Sequence, residues 1–341
     1  GGLAMATVSA CTAFGAVCGS SPATAATMST VGIPEMKRYG YADSLAAGCV
    51  ASGGGLGMIM PPSVVLIVYG VLTEQSIGAL FVSGIIPAIV LTLLFIAAIA
   101  IVTWRNPQLG PKGEGFTWGE KLRSLAGLVD TILVFALVIG GMFFGLFTPT
   151  ESASIGVLAV LALALVKRQL TWRALVQALY ESLKTSCMVL FLVAGAVVFG
   201  KFLAVTRIPF TVADSVAALD LPAAIVMAAI LAIYFIGGCF MDALALIMLT
   251  IPVFYPVVTN LGYDPIWFGV IIVLVTQLGV ITPPVGINAY VVYGVSQKIA
   301  PSITLESVFS GCMPFLAAII AGIVLFFLFP GLITWLPGVM Y

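Results

Sequence analysis

Long apolar runs separated by short polar segments form the pattern along this chain. A helix needs about 20 apolar residues to cross a bilayer. Uninterrupted runs of that length predict membrane-spanning helices at 78–103, 125–147 and 307–329. Two further runs, 42–72 and 266–295, are each interrupted near the middle by a Pro-Pro pair. The pattern therefore predicts an all-α integral membrane protein with two broken spans.

The two broken spans carry the same motif, Leu-Gly-X-Ile-X-Pro-Pro, at 56–62 and 278–284. Proline lacks an amide hydrogen and its ring clashes with the preceding helical turn, so the pair ends the helix. The spacing from Tyr41 to Pro61 equals the spacing from Tyr263 to Pro283. Two broken spans at corresponding points of two related halves indicate the binding site of a secondary transporter.

A helical hairpin is predicted before each broken span. Residues 3–36 are apolar but interrupted by Gly, Ser and Pro at 15–22, and each arm is too short to cross a bilayer. Residues 223–259 are interrupted in the same way at 237–242. We expect re-entrant hairpins, whose tips lie in protein or line a cavity, because non-helical backbone is not tolerated in lipid.

The order of hairpin, broken span and continuous span thus occurs twice. It predicts a first repeat at 1–104, a second at 223–341, and central scaffold spans with an interfacial arm at 105–222. If the first hairpin opens from the cytoplasm, eleven basic residues face inside and two, Lys201 and Arg207, face outside. That excess fits the positive-inside rule. The second hairpin then opens from the opposite side, so the repeats are inverted. The inside residues are Lys37, Arg38, Arg105, Lys112, Lys121, Arg123, Lys167, Arg168, Arg173, Lys184 and Lys298.

The amino-acid composition argues against several classes of protein and of binding site. With 62% hydrophobic and 8% charged residues, the chain is too apolar for a soluble domain. Its net charge is zero, so nucleic acid is not an expected partner. The six cysteines are scattered singly and predict neither a disulfide framework nor a metal site. No cofactor is expected.

An enzyme is not expected either. A serine hydrolase needs a basic partner, and histidine is absent. An intramembrane aspartyl enzyme needs two facing acids, and Asp242 is the one candidate at membrane depth.

The breaks carry the candidate chemistry. Carbonyl and hydroxyl oxygens at an unwound span suit a hard cation such as sodium, and helix N-termini attract an anion. The candidate substrate contacts are Ser20, Ser21, Thr24, Ser63, Asp242, Gln277 and Asn288. Two structural alternatives stay open: Gly53–Gly55 can serve close helix packing, and Asp242 can cap the helix that follows it.

The chain resembles the large membrane subunit of tripartite ATP-independent periplasmic (TRAP) transporters. The resemblance covers essentially all 341 residues. It rests on a hairpin tip, two Pro-Pro breaks, a capping motif and a second tip, which are Gly19-Ser20-Ser21-Pro22-Ala23-Thr24-Ala25-Ala26-Thr27, Pro61-Pro62-Ser63, Thr282-Pro283-Pro284-Val285-Gly286, Thr148-Pro149-Thr150-Glu151 and Gly238-Cys239-Phe240-Met241-Asp242.

That resemblance implies a sodium-coupled elevator symporter in the inner membrane of bacteria or archaea. It also implies a small membrane subunit and a periplasmic substrate-binding protein as partners, and an organic acid such as a C4-dicarboxylate or sialic acid as substrate. The implied sodium ligands are Ser20, Ser21, Ser52 and Gly57 for one site and Gly238, Asp242, Thr282 and Gly286 for the other. More scaffold helices are expected before the first hairpin than this chain contains.

A second reading stays open, a single-component divalent-anion symporter with sodium coupling and related architecture. Dependence on a soluble binding protein separates the two.

Overall fold

Helices are the regular elements of this computed structural model wherever it describes the chain, at residues 1–111, 119, 129–208, 211 and 221–340. No strand occurs among those residues, which confirms the all-α prediction. Six of the described helices are long and apolar enough to cross a membrane. They are Ile77–Arg105, Pro149–Val166, Trp172–Thr206, Ala223–Phe240, Ala243–Asn260 and Leu305–Leu328.

The described chain separates into two compact units, residues 1–113 with 207–341, and residues 114–206. The first unit contains both hairpins and both broken spans. Its first five helices are α1 (Gly2–Cys18), α2 (Ser21–Arg38), α3 (Asp43–Gly55), α4 (Val64–Thr73) and α5 (Ile77–Arg105).

The second unit contains α6 (Val129–Phe135), a π-helical turn (Ala136–Gly140), α7 (Gly141–Phe143), α8 (Pro149–Val166) and α9 (Trp172–Thr206). Thr148 and Glu151 form the capping box that opens α8. Lys167 forms an ion pair with Asp130. The polar stretch 173–184 and the apolar run 186–205 form one continuous helix, α9, because no glycine or proline separates them.

The second repeat of the first unit contains α10 (Ala223–Phe240), α11 (Ala243–Asn260), α12 (Pro265–Gly279), α13 (Ile287–Ile299), α14 (Leu305–Leu328) and α15 (Gly331–Met340). Residues 112–118, 120–128, 209–210, 212–220 and 341 lie outside the described part. The predicted inside charges Lys112, Lys121 and Arg123, and the start of the predicted span at 125–147, fall among them.

The first hairpin breaks at one point. Gly19 adopts a left-handed backbone conformation with φ 64°, and its amide closes α1 on the Gly15 carbonyl. The helix therefore continues through 15–18, where the sequence predicted an interruption. Pro22 then sits in the first turn of α2, where its missing amide hydrogen costs nothing.

The arms of the second hairpin are longer than predicted. Helix α10 runs through Gly237 and Gly238 and ends at Phe240, so the predicted end at 236 is wrong. A Cβ on Gly238 would lie 3.3 Å from the Thr276 Cα of α12, and a Cβ on Gly237 would lie 2.6 Å from a methyl group of Leu246 on α11. These glycines therefore serve close helix packing and not a break. Both arms contain 18 residues and are long and apolar enough to cross a membrane, unlike the shorter arms that the sequence predicted.

Both Pro-Pro pairs end a helix, as predicted. In the first break, α3 tightens into a 3-10 turn at Leu56–Met58 before the pair, and Ser63 caps α4. In the second break, α12 ends at Gly279 and α13 begins after Gly286, which has φ 57°. Both Pro-Pro peptide bonds are cis.

The two repeats interlock. The first arm of each hairpin packs on the broken helix of its own repeat, α1 on α3 and α10 on α12. The second arm packs on the far half of the other repeat's broken helix, α2 on α13 and α11 on α4. The two breaks and the two tips are therefore held in one core.

Glycine pairs set the closest of these contacts. A Cβ on Gly15 would lie 2.7 Å from the Gly57 Cα, and a Cβ on Gly279 would lie 2.7 Å from the Gly238 Cα. Gly57 and Gly279 are the same position of the repeated Leu-Gly motif. Each repeat thus docks the first arm of its hairpin on its broken helix through a glycine pair.

Candidate functional site

Each hairpin tip contacts the Pro-Pro break of its own repeat through an equivalent hydrogen bond. The Val64 amide donates to the Gly19 carbonyl, and the Gly286 amide donates to the Cys239 carbonyl, both at 3.4 Å. Val64 and Gly286 follow their Pro-Pro pairs by the same number of residues. The four non-helical segments therefore form two tip-and-break pairs.

Ser21 and Asn288 join the repeats. The Ser21 Oγ lies 2.9 Å from the Asn288 Oδ1 and 2.7 Å from its Nδ2, and Nδ2 also donates to the Ala51 carbonyl at 3.0 Å. Both side chains are fully buried or nearly so. They lie in the first turns of α2 and α13, and neither helix has a side-chain cap at its N-terminus. Two helix N-termini thus meet at this contact, where they favour negative charge.

Gln277 packs against Gly55, one helical turn after Ala51 on α3. Its side chain is fully buried, and both atoms of its amide, Oε1 and Nε2, lack a hydrogen-bond partner. A Cβ on Gly55 would lie 2.6 Å from the Gln277 Cγ and 2.8 Å from its Nε2. The amide therefore rests against the bare backbone at the end of α3, in space that any other residue at 55 would fill.

Thr24 and Ser52 supply two more buried hydroxyls without a hydrogen-bond partner. The Thr24 Oγ1 faces Gly57, where a Cβ would lie 2.7 Å from it. Ser52 lies one turn before Gly55 on α3, and the neighbour of its hydroxyl is the Cys312 thiol, a weak hydrogen-bonding group. Buried polar groups are usually hydrogen-bonded, so unpartnered ones need an explanation.

These unpartnered atoms are grouped. Of the five in the described residues, four belong to Thr24, Ser52 and Gln277 and surround the stretch from Ser52 to Gly57; the fifth, on Ser152, is in the other unit. That stretch leads into the first Pro-Pro break. The sequence had selected all three side chains as candidates.

Other predicted residues are engaged in local structure. The Ser63 hydroxyl donates to the Met58 carbonyl and accepts from the Leu66 amide at 3.3 Å. The Thr282 hydroxyl donates to the Leu278 carbonyl at 2.7 Å and keeps its lone pairs. Asp242 caps α11 by accepting from the Leu244 amide at 3.0 Å. The alternative that Asp242 is a helix cap is therefore confirmed, and it does not exclude a second role.

Charge is nearly absent from this core. Of the described residues at the tips and breaks, Asp242 is the one charged side chain, and it is partly exposed. The basic residues of the described repeats, Lys37, Arg38, Arg105 and Lys298, lie in the last turns of their helices. No group of three or more His, Cys, Asp or Glu among the described residues can hold a metal ion. Apart from the Asp242 carboxylate, the oxygens of the described tips and breaks are neutral hydroxyl, amide and carbonyl oxygens.

Sequence reasoning missed the Ala51 carbonyl and the Cys312 thiol. Ala51 acts through its backbone, which leaves no side-chain signal in a sequence. Cys312 reaches Ser52 through tertiary packing of α14 on α3.

Two hairpin tips that meet two broken membrane helices, with unpartnered polar atoms between them, define the core of a secondary transporter. The family model of the tripartite ATP-independent periplasmic transporter DctM component matches residues 1–332. The chain belongs to that family, and it is a multi-pass protein of the inner membrane.

Three curated relatives show the breadth of the family. The chain is 34% identical to the C4-dicarboxylate TRAP transporter large permease protein DctM of Pseudomonas aeruginosa over 99% of this chain and 76% of the relative. It is 33% identical to the sialic acid TRAP transporter large permease protein SiaM of Vibrio cholerae over 95% of this chain and 74% of the relative. It is 33% identical to the isethionate TRAP transporter permease protein DctMQ of Oleidesulfovibrio alaskensis over 94% of this chain and 50% of the relative.

Proposed function

We propose that this chain is the membrane carrier of a sodium-coupled importer that takes up a small organic acid by an elevator mechanism. In this proposal a periplasmic substrate-binding protein delivers the acid, and a small membrane subunit completes the carrier. The observation that carries the proposal is the group of unpartnered buried atoms on Thr24, Ser52 and Gln277 around one helix break.

Sodium suits that group. A hard cation binds hydroxyl, carbonyl and amide oxygens, and the Thr24 hydroxyl, Ser52 hydroxyl and Gln277 amide each have an oxygen without a partner. Leaving such groups buried without a ligand costs about 1–3 kcal/mol each. A bound cation offsets that cost, so the ion stabilises the core that it occupies.

The acid suits the contact between Ser21 and Asn288. The meeting helix N-termini of α2 and α13 favour an anion. The Asn288 amide and the Ser21 hydroxyl donate to a carboxylate once the hydrogen bond between them opens. No described lysine or arginine lies at the tips or breaks to balance the acid's charge. Co-bound sodium supplies that balance, which gives a physical reason for coupling.

The proposal covers a chemical class of substrates and not one particular acid. The relatives are named for a C4-dicarboxylate, for sialic acid and for isethionate, a sulfonate. These solutes share an anionic group and little else. We propose that the carrier site recognises the anionic group, and that the binding protein selects the rest of the molecule.

Reconstitution tests this function. The chain, with its small membrane subunit, is placed in liposomes, and uptake of the acid that most stabilises the cognate binding protein is measured. We expect accumulation only with an inward sodium gradient and the loaded binding protein. Uptake that persists after the sodium gradient is collapsed would overturn sodium coupling, and uptake without the binding protein would favour the single-component symporter.

A further inference from the structure

Among the described residues, Gln277 is the one buried residue whose side-chain donor and acceptor both lack a hydrogen-bond partner. The neighbouring polar side chains, in contrast, have hydrogen-bond partners. Thr276, the preceding residue, donates to the Val273 carbonyl at 2.9 Å, and Asn288 is bonded to Ser21 and Ala51. A buried amide with neither atom bonded needs a ligand that can both accept and donate, or two ligands.

The position of Gln277 is unusual in the repeat. The repeated motif aligns Gly55-Leu56-Gly57 with Gln277-Leu278-Gly279, so Gln277 is the counterpart of Gly55. The two counterparts also face each other, since a Cβ on Gly55 would collide with the Gln277 side chain. The amide therefore comes from the second repeat and lies against Gly55, on the stretch of the first repeat that also carries the unpartnered Ser52 hydroxyl.

We propose that the Gln277 amide links the cation to the acid. Its Oε1 completes the cation's ligands with the oxygens of the Ser52–Gly57 stretch, and its Nε2 donates to the acid's anionic group. This inference rests on the proposed function and assigns one residue the coupling role. The physical reason is that one planar amide fixes an acceptor and a donor about 2.2 Å apart, so filling one side orients the other.

The Gln277 side chain is uncharged, unlike a carboxylate or an ammonium. A fixed charge buried here would bind one of the two ligands strongly and repel the other. The amide is neutral, so the charge balance is set by sodium and the acid alone. Occupancy of one ligand then favours the other, which is what symport requires.

Two substitutions separate the two atoms. Gln277→Leu removes donor and acceptor, while Gln277→Glu keeps oxygen ligands and removes the donor. Gln297→Leu is the matched control, because the Gln297 amide is used in a local bond to the Ile303 carbonyl at 2.9 Å. Sodium binding is measured by thermal unfolding of the full purified chain, titrated with sodium chloride at constant ionic strength with choline chloride.

We expect the half-saturating sodium concentration to rise at least about tenfold in Gln277→Leu, since one lost ligand bond is worth about a factor of ten. It should stay within about threefold of the parent value in Gln297→Leu, and in Gln277→Glu it should stay level or fall, because the carboxylate attracts the cation. Sodium-driven uptake in the liposome assay should fall at least about tenfold in both Gln277 variants and remain in the control.

Three results would overturn the proposed role of Gln277 in whole or in part. An unchanged sodium titration in Gln277→Leu, beside a responsive parent chain, overturns the cation contact. Undiminished uptake in Gln277→Glu overturns the contact with the acid. A parent chain that responds to sodium in neither assay overturns the proposed function itself, and the inference with it.

Discussion

Gly55 and Gln277 occupy the same position of the two repeats and face each other in the core, with the glutamine amide against the backbone of the glycine. Counterparts of two repeats that contact each other lie where the repeats meet. The functional core is therefore asymmetric at its centre. The first repeat has a glycine without a side chain, Gly55, and the Gln277 side chain of the second repeat occupies the space beside it.

Thr24 tests whether the unpartnered hydroxyl binds sodium. Thr24→Val keeps the shape of the side chain and removes the buried hydroxyl, so without sodium it should raise stability by about 1 kcal/mol. The gain in unfolding temperature on adding sodium should largely disappear. Thr12→Val is the control, because the Thr12 hydroxyl is bonded to Thr92 at 2.8 Å. A full sodium response in Thr24→Val would rule out Thr24 as a ligand.

Ser21 tests the contact between the repeats. Ser21→Ala leaves the Asn288 amide with the Ala51 carbonyl alone, which should cost about 1 kcal/mol of stability. We expect the loss in sodium-dependent uptake, about tenfold, to exceed any loss in membrane abundance. Ser29→Ala is the matched variant on the same helix, since Ser29 bonds only to the Ala25 carbonyl. Equal losses of uptake and abundance in Ser21→Ala would indicate a packing role.

Substitutions of Asp242 separate a role of its negative charge from its role as a helix N-cap. Asn is as good an N-cap as Asp, so Asp242→Asn should preserve α11 while Asp242→Ala should lose about 1 kcal/mol of stability. If the carboxylate also binds sodium, both variants should need more sodium for half-maximal uptake. Asp264, which caps α12 through the Trp267 amide at 2.8 Å, is the control. Wild-type sodium dependence in Asp242→Asn would restrict Asp242 to capping.

Gly57 tests the close approach of the hairpin and the broken helix. A Cβ there would lie 2.7 Å from the Thr24 Oγ1 and 3.2 Å from the Ser20 carbonyl oxygen. We expect Gly57→Ala to displace the first hairpin tip and to abolish sodium-dependent stabilisation. Gly294→Ala is the contrast, because nothing lies within 4 Å of its Cβ and a helical Gly→Ala change is worth about 1 kcal/mol in favour of the variant. Normal uptake by Gly57→Ala would contradict the packing described.

The sequence by itself determined the helices, the breaks and the repeats. Apolar runs of bilayer length, two Pro-Pro pairs and a repeated motif are local signals, since each depends on backbone chemistry and on the cost of unpaired amides in lipid. They also predicted Ser21, Thr24, Ser52, Gln277 and Asn288 as candidates. Residues 237–238 were misjudged, because glycine signals close packing as readily as it signals a break.

Only the tertiary structure decided which candidates meet. That Ser21 bonds to Asn288 and that Gln277 faces Gly55 depend on how the two repeats pack on each other. Such contacts join residues far apart in the chain. A pattern read along one segment carries no information on them, because their energy comes from which surfaces of the folded core are buried together.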